Sequence, residues 1–306
     1  MVSRVVDRSF RLTDVDKEVF RGLLRRVAEF CGVRVLTYAI LDNHFHLLVE
    51  VPASPGEPDD EELRRRARLL YGEERKGQPL SFFRIDRALA AGGDIRERMR
   101  ALLIGRMGSL PMFVKILKQR FSIIYNRKQD RLGTLWEDRF HSVLVEDSAA
   151  ALTAVAAYID LNAVRAGIVR DPKDYQFSGY GEAAGTRQGF SRFALFLRLA
   201  AEHAESIEEI AAMYRRRLFI SGSDPGKGGT VSKEALEQTL RQGGLLSRGE
   251  SLFCRLRYMT RGAIIGSRAF VEEWAAQNKS IYFPKRPKKP KRLLPLDDEP
   301  ALYRLR

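Results

Sequence analysis

Cysteine is nearly absent. Only Cys31 and Cys254 occur in 306 residues, which excludes a disulfide framework and a cysteine-built metal site. No apolar run reaches the roughly eighteen residues that a membrane-spanning helix needs. The first ten residues, MVSRVVDRSF, carry charge at Arg4, Asp7 and Arg8 and show no apolar stretch, so they do not read as a secretory signal. A reducing cytoplasm is the compartment these absences predict. Negative charge is scarce as well: 39 Asp and Glu stand against 53 Lys and Arg, a formal net charge of +14. That excess favours a polyanionic partner, above all nucleic acid, over a basic surface with no partner. A membrane surface is a poor alternative, because no basic amphipathic stretch with lipid-facing aromatics is present.

What remains is enough to fold. Hydrophobic residues make up 44% and charged residues 30%, which supplies a core and argues against disorder over most of the length. Thr13 and Asp16 stand at the spacing of a capping box. Behind them Val19, Phe20, Leu23, Leu24, Val27 and Phe30 recur at helical period, and Gly32 supplies a stop. The period then changes. Val33 to Ile40 is strand-like, Leu41-Asp42-Asn43 is a turn, and His44 to Val51 is a second strand closed by Pro52. A helix followed by an antiparallel hairpin predicts an α+β fold with one sheet face covered.

Residues 53–109 read as a charged helical insertion with a break at Gly92-Gly93. Leu110 to Tyr125 predicts a helix with Phe113, Ile116, Leu117, Phe121 and Ile124 inward. A turn at 130–133, a short strand at 142–145 and an Ala-rich helix capped by Ser148 follow. Residues 184–283 read as a helical C-terminal domain (191–217, 232–241, 247–260, 267–278) interrupted by the linker-like SGSDPGKGG of 221–229. The last two of these helices, with arginines beside Gly262, make either a helix-turn-helix-like DNA contact or an interdomain clamp of the same shape. Residues 284–306 open with PKRPKKPKR and predict an extended basic tail.

Two of the chain's four histidines are His44 and His46. Positions two apart on a strand share a face, so both imidazoles project together, a start for a divalent metal or simply two solvated histidines. Tyr158 and Asn162, four apart on the Ala-rich helix, share a face too. A tyrosine there reads either as core packing or as a phenolic nucleophile. Arg127, Lys128, Arg131 and Arg139 flank Trp136, a pattern of cations around an aromatic that suits single-stranded nucleic acid, unless Trp136 is core. Arg165 is counted with these contacts.

Asp42-Asn43-His44-Phe45-His46-Leu47-Leu48-Val49 resembles the His-hydrophobic-His motif of the HUH single-tyrosine nucleases. Gly133-Thr134-Leu135-Trp136-Glu137-Asp138-Arg139-Phe140, Tyr158 to Gly167, and Tyr175-Gln176-Phe177-Ser178-Gly179-Tyr180 follow in the same order. Together they resemble IS200-like transposases, in the branch of REP-associated tyrosine transposases, over roughly residues 3–182. The resemblance implies a ferredoxin-like antiparallel sheet with helices on one face, spanning residues 1–183 with the insertion inside it. It implies His44, His46 and Asn162 as ligands of Mg²⁺ or Mn²⁺, and Tyr158 as nucleophile. It implies cleavage and rejoining of single-stranded DNA at a hairpin through a 5′-phosphotyrosine bond. Monomeric and homodimeric forms are both compatible with it. A domesticated, catalytically weak protein that only binds DNA hairpins would carry the same surface.

This chain departs from the pattern in three places. Relatives carry a strand ahead of the Ser-Arg that is Ser3-Arg4 here, so an incomplete first strand is expected. Asn162-Ala163 stands where an Asn-Pro pair is usual. Tyr125, late in its own amphipathic helix, competes with Tyr158 for the nucleophile's role.

Overall fold

The computed structural model describes residues 1–9, 11–52, 56–72, 80–185, 207–223, 228–241, 264–266, 268–277, 291–292 and 301–303. In chain order the first elements are β1 (Val2–Arg4), α1 (Asp14–Cys31), β2 (Arg34–Ile40) and β3 (His44–Glu50). Next come α2 (Asp60–Leu70), α3 (Phe82–Ala91), α4 (Gly93–Ile104) and α5 (Leu110–Lys128). Then follow β4 (Leu144–Val145), α6 (Ala149–Asp160), α7 (Asn162–Arg165) and α8 (Gly179–Gly185). Helices Ile207–Ser223, Lys233–Arg241 and Arg268–Gln277 lie beyond, with β5 (Ile264–Gly266), β6 (Lys291–Arg292) and β7 (Ala301–Tyr303). The chain is thus mixed α/β, compatible with an α+β class. No helix among the described residues is long and apolar enough to cross a membrane.

The chain divides into two compact units that interleave in sequence. The first contains Met1–Arg4, Leu36–Leu48 and Asp138–Arg306, the second Val5–Val35 and Val49–Glu137. The expected boundary at 183/184 does not separate them. Helix Ile207–Ser223 buries Tyr214, Leu218 and Phe219 in the same apolar cluster as Leu152, Ala156, Ile159 and Leu161 of the α6 segment.

The first unit is built on a three-stranded antiparallel sheet in the order β1-β3-β2. The short β1 does pair: Val2 lies opposite His46 and Arg4 opposite His44. The hairpin turn closes with Leu41 N–H donating to His44 O at 2.8 Å. The free edge of β2 is covered by residues 175–180. There Ile40 N–H donates to Phe177 O at 2.9 Å, Tyr175 Oη donates to Ile40 O at 2.6 Å, and Ser178 bridges Ala39. Gly179 permits this approach, because a Cβ there would overlap the Thr37 hydroxyl. A four-stranded sheet in the order β4-β5-β7-β6 also belongs to this unit.

The second unit is mainly helical. Thr13 and Asp16 form the expected capping box, and Gly32 ends α1 in a left-handed turn. The insertion is helical as expected, with Leu63, Ala67, Ile85, Leu89 and Leu103 buried. Phe20 and Phe121 pack edge to face, with centroids 4.9 Å apart. On α5 Phe113, Ile116, Leu117 and Phe121 are buried as expected, joined by Val114 and Tyr125, whereas Ile124 is exposed. Only Ile124 departs from the expected stripe, its place on the buried face taken by Tyr125.

Two more expectations change. The 221–229 stretch is not a free linker at its ends: the helix runs on through Ser223, and Gly229 N–H donates to Arg165 O at 3.0 Å. The expected tail is paired where it is described. Lys291 faces Leu302 and Arg292 faces Ala301, because both residues keep the amide hydrogens that the neighbouring prolines lack. Residues 186–206 and 242–263, which include the start of the helix expected at 191–217 and all of that at 247–260, lie outside the described residues. Ile264–Gly266, in the expected turn, is a strand.

Candidate active site

The pleat of β3 sets the first two side chains. His44 and His46 stand on one face while Phe45 is completely buried on the other. Their rings meet edge to face, centroids 5.0 Å apart. His44 Nδ1 lies 2.6 Å from Asn43 Oδ1. Since that oxygen only accepts, Nδ1 carries the proton and Nε2 keeps its lone pair. Burial, reinforced by the charge of Arg4, lowers the His44 pKa to about 4, against a smaller opposing pull from Asp42. His46, 5% exposed, is held well below the usual imidazole range, first by burial and then by the charges around it, those of Arg4 and Arg165 included. Both rings are therefore neutral at physiological pH.

Helix α6 delivers the tyrosine. Ser148 caps it, and Ala154, Ala156 and Ala157 are buried in one apolar cluster with Ala39 of β2 and Leu48 of β3. Tyr158 on this helix comes edge to face with His46, centroids 5.7 Å apart. Arg165 of α7 places its guanidinium 5.1 Å from the Tyr158 ring centre and its Nη1 3.5 Å from the Tyr158 carbonyl. Burial raises the phenol's pKa, while Arg165 and Arg4 pull it the other way without cancelling the rise.

The structure brings His44, His46, Tyr158 and Arg165 together. Asn162 opens α7, a separate helix from the α6 that carries Tyr158, and turns back on the end of α6, its Nδ2 donating to Tyr158 O at 2.7 Å and Ile159 O at 3.3 Å. Its amide oxygen is the atom that could coordinate a cation. Two neutral imidazoles and an amide oxygen fit a divalent cation of mixed nitrogen and oxygen preference with coordination positions to spare. Among the described residues no group of three His, Cys, Asp or Glu is assembled for a metal.

The other candidates have surroundings of their own. Tyr125 is a core residue, 5% exposed, whose hydroxyl donates to Arg11 O at 3.2 Å. Trp136 is also core, 6% exposed. It packs on Phe20 and Phe121, and its Nε1 donates to Lys118 O at 3.2 Å. Its faces are covered, which corrects the expectation of a stacking platform for bases. Lys128 pairs with Asp16 at 2.8 Å, and Arg131 donates to Thr134 O at 2.9 Å and to Asn126 Oδ1 at 3.3 Å. Arg127 and Arg139 are exposed.

Two residues near the site carried no role in the sequence. Arg4 sits opposite His44 in register and acts electrostatically on both histidines and Tyr158. Strand pairing put it there, and register is not readable from one chain. Asp160 is completely buried two residues beyond Tyr158, accepting from Thr37 Oγ1 at 3.0 Å and Tyr214 Oη at 2.6 Å. Its partner Tyr214 lies in a helix that motif reading did not reach.

Comparison with protein-family models, curated proteins and solved structures returned no match.

Proposed function

We propose that this chain is a single-tyrosine DNA strand-transferase of the IS200-like, REP-associated kind, with a ferredoxin-like HUH domain. One observation carries the reading. The His46 ring lies against the ring of Tyr158, with His44 behind it, although the strand and the tyrosine stand far apart in the sequence. Chance core packing rarely selects two neutral imidazoles, a tyrosine and an arginine as mutual neighbours. The order β1-β3-β2, with α6 residues in one apolar cluster with Ala39 and Leu48 of the sheet, supports the same fold. The buried, hydrogen-bonded state of Tyr125 supports Tyr158 as the nucleophile.

The residues then divide the work. Tyr158 Oη attacks the phosphorus of a single-stranded DNA phosphodiester. The bond to the 3′ oxygen breaks as the bond to the tyrosine forms, leaving a 5′-phosphotyrosine and a free 3′-hydroxyl. The phenol's proton is released and the departing 3′ oxygen takes one up, so protons balance. Arg165 and Arg4 face the negative charge of the phosphate. Mg²⁺ or Mn²⁺, when bound by His44, His46 and Asn162, supplies Lewis-acid polarisation of the phosphate oxygens. Reversal by another 3′-hydroxyl rejoins the strand without ATP, because the phosphotyrosine conserves the bond energy.

The test is a denaturing-gel assay for a covalent protein–DNA adduct, using hairpin-bearing single strands with Mg²⁺ or Mn²⁺. Wild type should form the adduct, and Tyr158→Phe should bind the same DNA without forming it. An adduct that survives in Tyr158→Phe and disappears in Tyr125→Phe overturns the assignment. Hairpin binding with no adduct in the wild type identifies a binding protein instead.

A further inference from the structure

The second unit contains a cluster of positive charge gathered around one buried aromatic ring. Tyr71 follows α2, is 5% exposed, and forms its centre. Arg120 of α5 lays its guanidinium 4.8 Å from the Tyr71 ring centre and donates from Nη1 to Leu70 O at 2.7 Å. Arg106, just past α4, donates from Nη1 to the Tyr71 hydroxyl at 2.6 Å. Arg26 of α1 adds its charge to that of Arg120, as Arg106 does. The Arg26 Nε donates to the Gly22 carbonyl at 3.4 Å. Every one of these acceptors is neutral. Elsewhere in this unit arginines find carboxylates, as Arg64 finds Asp86 and Arg96 finds Asp60. Among the described residues no carboxylate pairs with Arg26, Arg106 or Arg120.

Helices α1 and α5 and the segment after α4 therefore bring like charges together, half-buried in Arg106 and Arg120, with only neutral partners among the described residues to offset the cost. An anion arriving from outside would offset it. We propose that Arg26, Arg106 and Arg120 hold a backbone phosphate of the bound DNA strand. A guanidinium presents two parallel donors that match two phosphate oxygens, and the Tyr71 ring and Leu70 carbonyl fix the Arg120 fork before the ligand arrives. Tyr71 itself is too buried for a base to stack on it, so the cluster reads backbone and not sequence. The excess of positive charge over the whole chain makes a polyanion the fitting occupant over a free phosphate ion. The site rests on the DNA reading of the Tyr158 region only for the identity of that polyanion.

The experiment uses the full chain and two probes. Fluorescence anisotropy follows a labelled single-stranded oligonucleotide across a salt series, for wild type, Arg26→Gln, Arg106→Gln and Tyr158→Phe. Thermal melting with inorganic phosphate forms the second arm. Each arginine variant should weaken binding several-fold at low salt. Each should also flatten the log affinity against log salt slope by about 0.7 for every phosphate that is no longer neutralised. Tyr158→Phe should keep the wild-type slope. Arg26 is exposed, so Arg26→Gln remains a folded test if Arg106→Gln melts early. Unchanged affinity and slope in folded Arg26→Gln and Arg106→Gln overturn the site. Phosphate that stabilises wild type, with DNA affinity unaffected by either substitution, overturns the DNA assignment in favour of free phosphate. Adduct formation is scored separately, so a chain that makes no adduct but shows the slope change refutes the Tyr158 chemistry and leaves this site standing.

Discussion

Asp160 and Tyr214, 54 residues apart, share a hydrogen bond of 2.6 Å in which the phenol donates to a completely buried carboxyl group. Burial pushes Asp160 up to about 7, against the downward pull of its three hydrogen bonds. The other two come from Thr37 Oγ1 at 3.0 Å and Tyr180 N–H at 3.1 Å. One side chain thus ties α6, two residues from Tyr158, to β2, to the segment that opens α8, and to helix Ile207–Ser223. The position of Tyr158 against His46 depends on the helix that this carboxyl holds.

Removing the carboxyl tests that dependence. Asp160→Ala leaves three buried donors without an acceptor, at about 1–3 kcal/mol for each group left unsatisfied. Asp160→Asn keeps an oxygen for Thr37 and Tyr180 and should cost much less. Tyr214→Phe removes one bond and should cost about 1 kcal/mol. Denaturant unfolding should rank Asp160→Ala as the least stable of the three. An Asp160→Ala protein as stable as wild type means the carboxyl ties nothing together.

Acid should weaken the second unit through Asp16. Burial alone would raise its pKa, but hydrogen bonds from Lys128 and from Thr13 outweigh it and bring the pKa below the ordinary 3.8. A carboxylate with a depressed native pKa stabilises the fold above its unfolded pKa. That contribution fades as pH falls from about 4 through the native value. Asp16→Asn breaks the capping box and the Lys128 pair, and should cost about 1 kcal/mol near neutral pH. The gap from wild type should close in acid, where both side chains are uncharged. Equal gaps at neutral and acid pH exclude this linkage.

The sequence was most legible where one period dominated. Thr13 to Gly32 and the hairpin from Arg34 to Glu50 could be located from capping, β-branching and turn residues within the chain itself. The shared face of His44 and His46 followed from strand parity alone. What strand parity could not supply was the partner across the sheet. Arg4 came to the histidines through β1–β3 register, and Asp160 and Tyr214 met through tertiary packing between elements far apart in sequence. Trp136 shows the opposite failure. Its flanking arginines suggested a nucleic-acid surface, but Phe20 and Phe121 offered its ring a core, and burial won.

The glycines after Ser223 looked like a linker and instead allow a close approach. A Cβ on Gly229 would collide with the Val164 carbonyl, and one on Gly228 with the Arg165 carbonyl. Gly229→Ala should therefore push residues 228–231 away from α7, which carries Asn162 and Arg165. A destabilisation of about 1–3 kcal/mol is expected from such overpacking, with reduced adduct formation. Gly22 gives the control: it lies inside α1 with open space at its Cβ position. Gly22→Ala should stabilise by about 0.5–1 kcal/mol. Identical behaviour of the two variants removes the case for a built approach at Gly229.

Metal binding can be read without catalysis. Asn43 Oδ1 accepts the His44 Nδ1 proton at 2.6 Å, which holds the ring with Nε2 presented as a lone-pair donor. Such an outer partner orients a ligand without touching the cation, and its removal typically costs about ten- to a hundred-fold in affinity. Mn²⁺ serves as the probe because its free-ion electron paramagnetic resonance signal disappears on binding. Wild type should bind one ion per chain. His44→Ala, His46→Ala and Asn162→Ala should each weaken binding, and Asn43→Ala should weaken it by about ten-fold while the fold and oligonucleotide affinity stay unchanged. The Asn43 variant separates the two explanations of the paired histidines. Simple packing residues need no tautomer control, so removing Asn43 would then change nothing in a Mn²⁺ titration. Binding that is equal in wild type and in the His44, His46 double variant places the ion elsewhere, and no binding by the wild type leaves the histidines without a metal role.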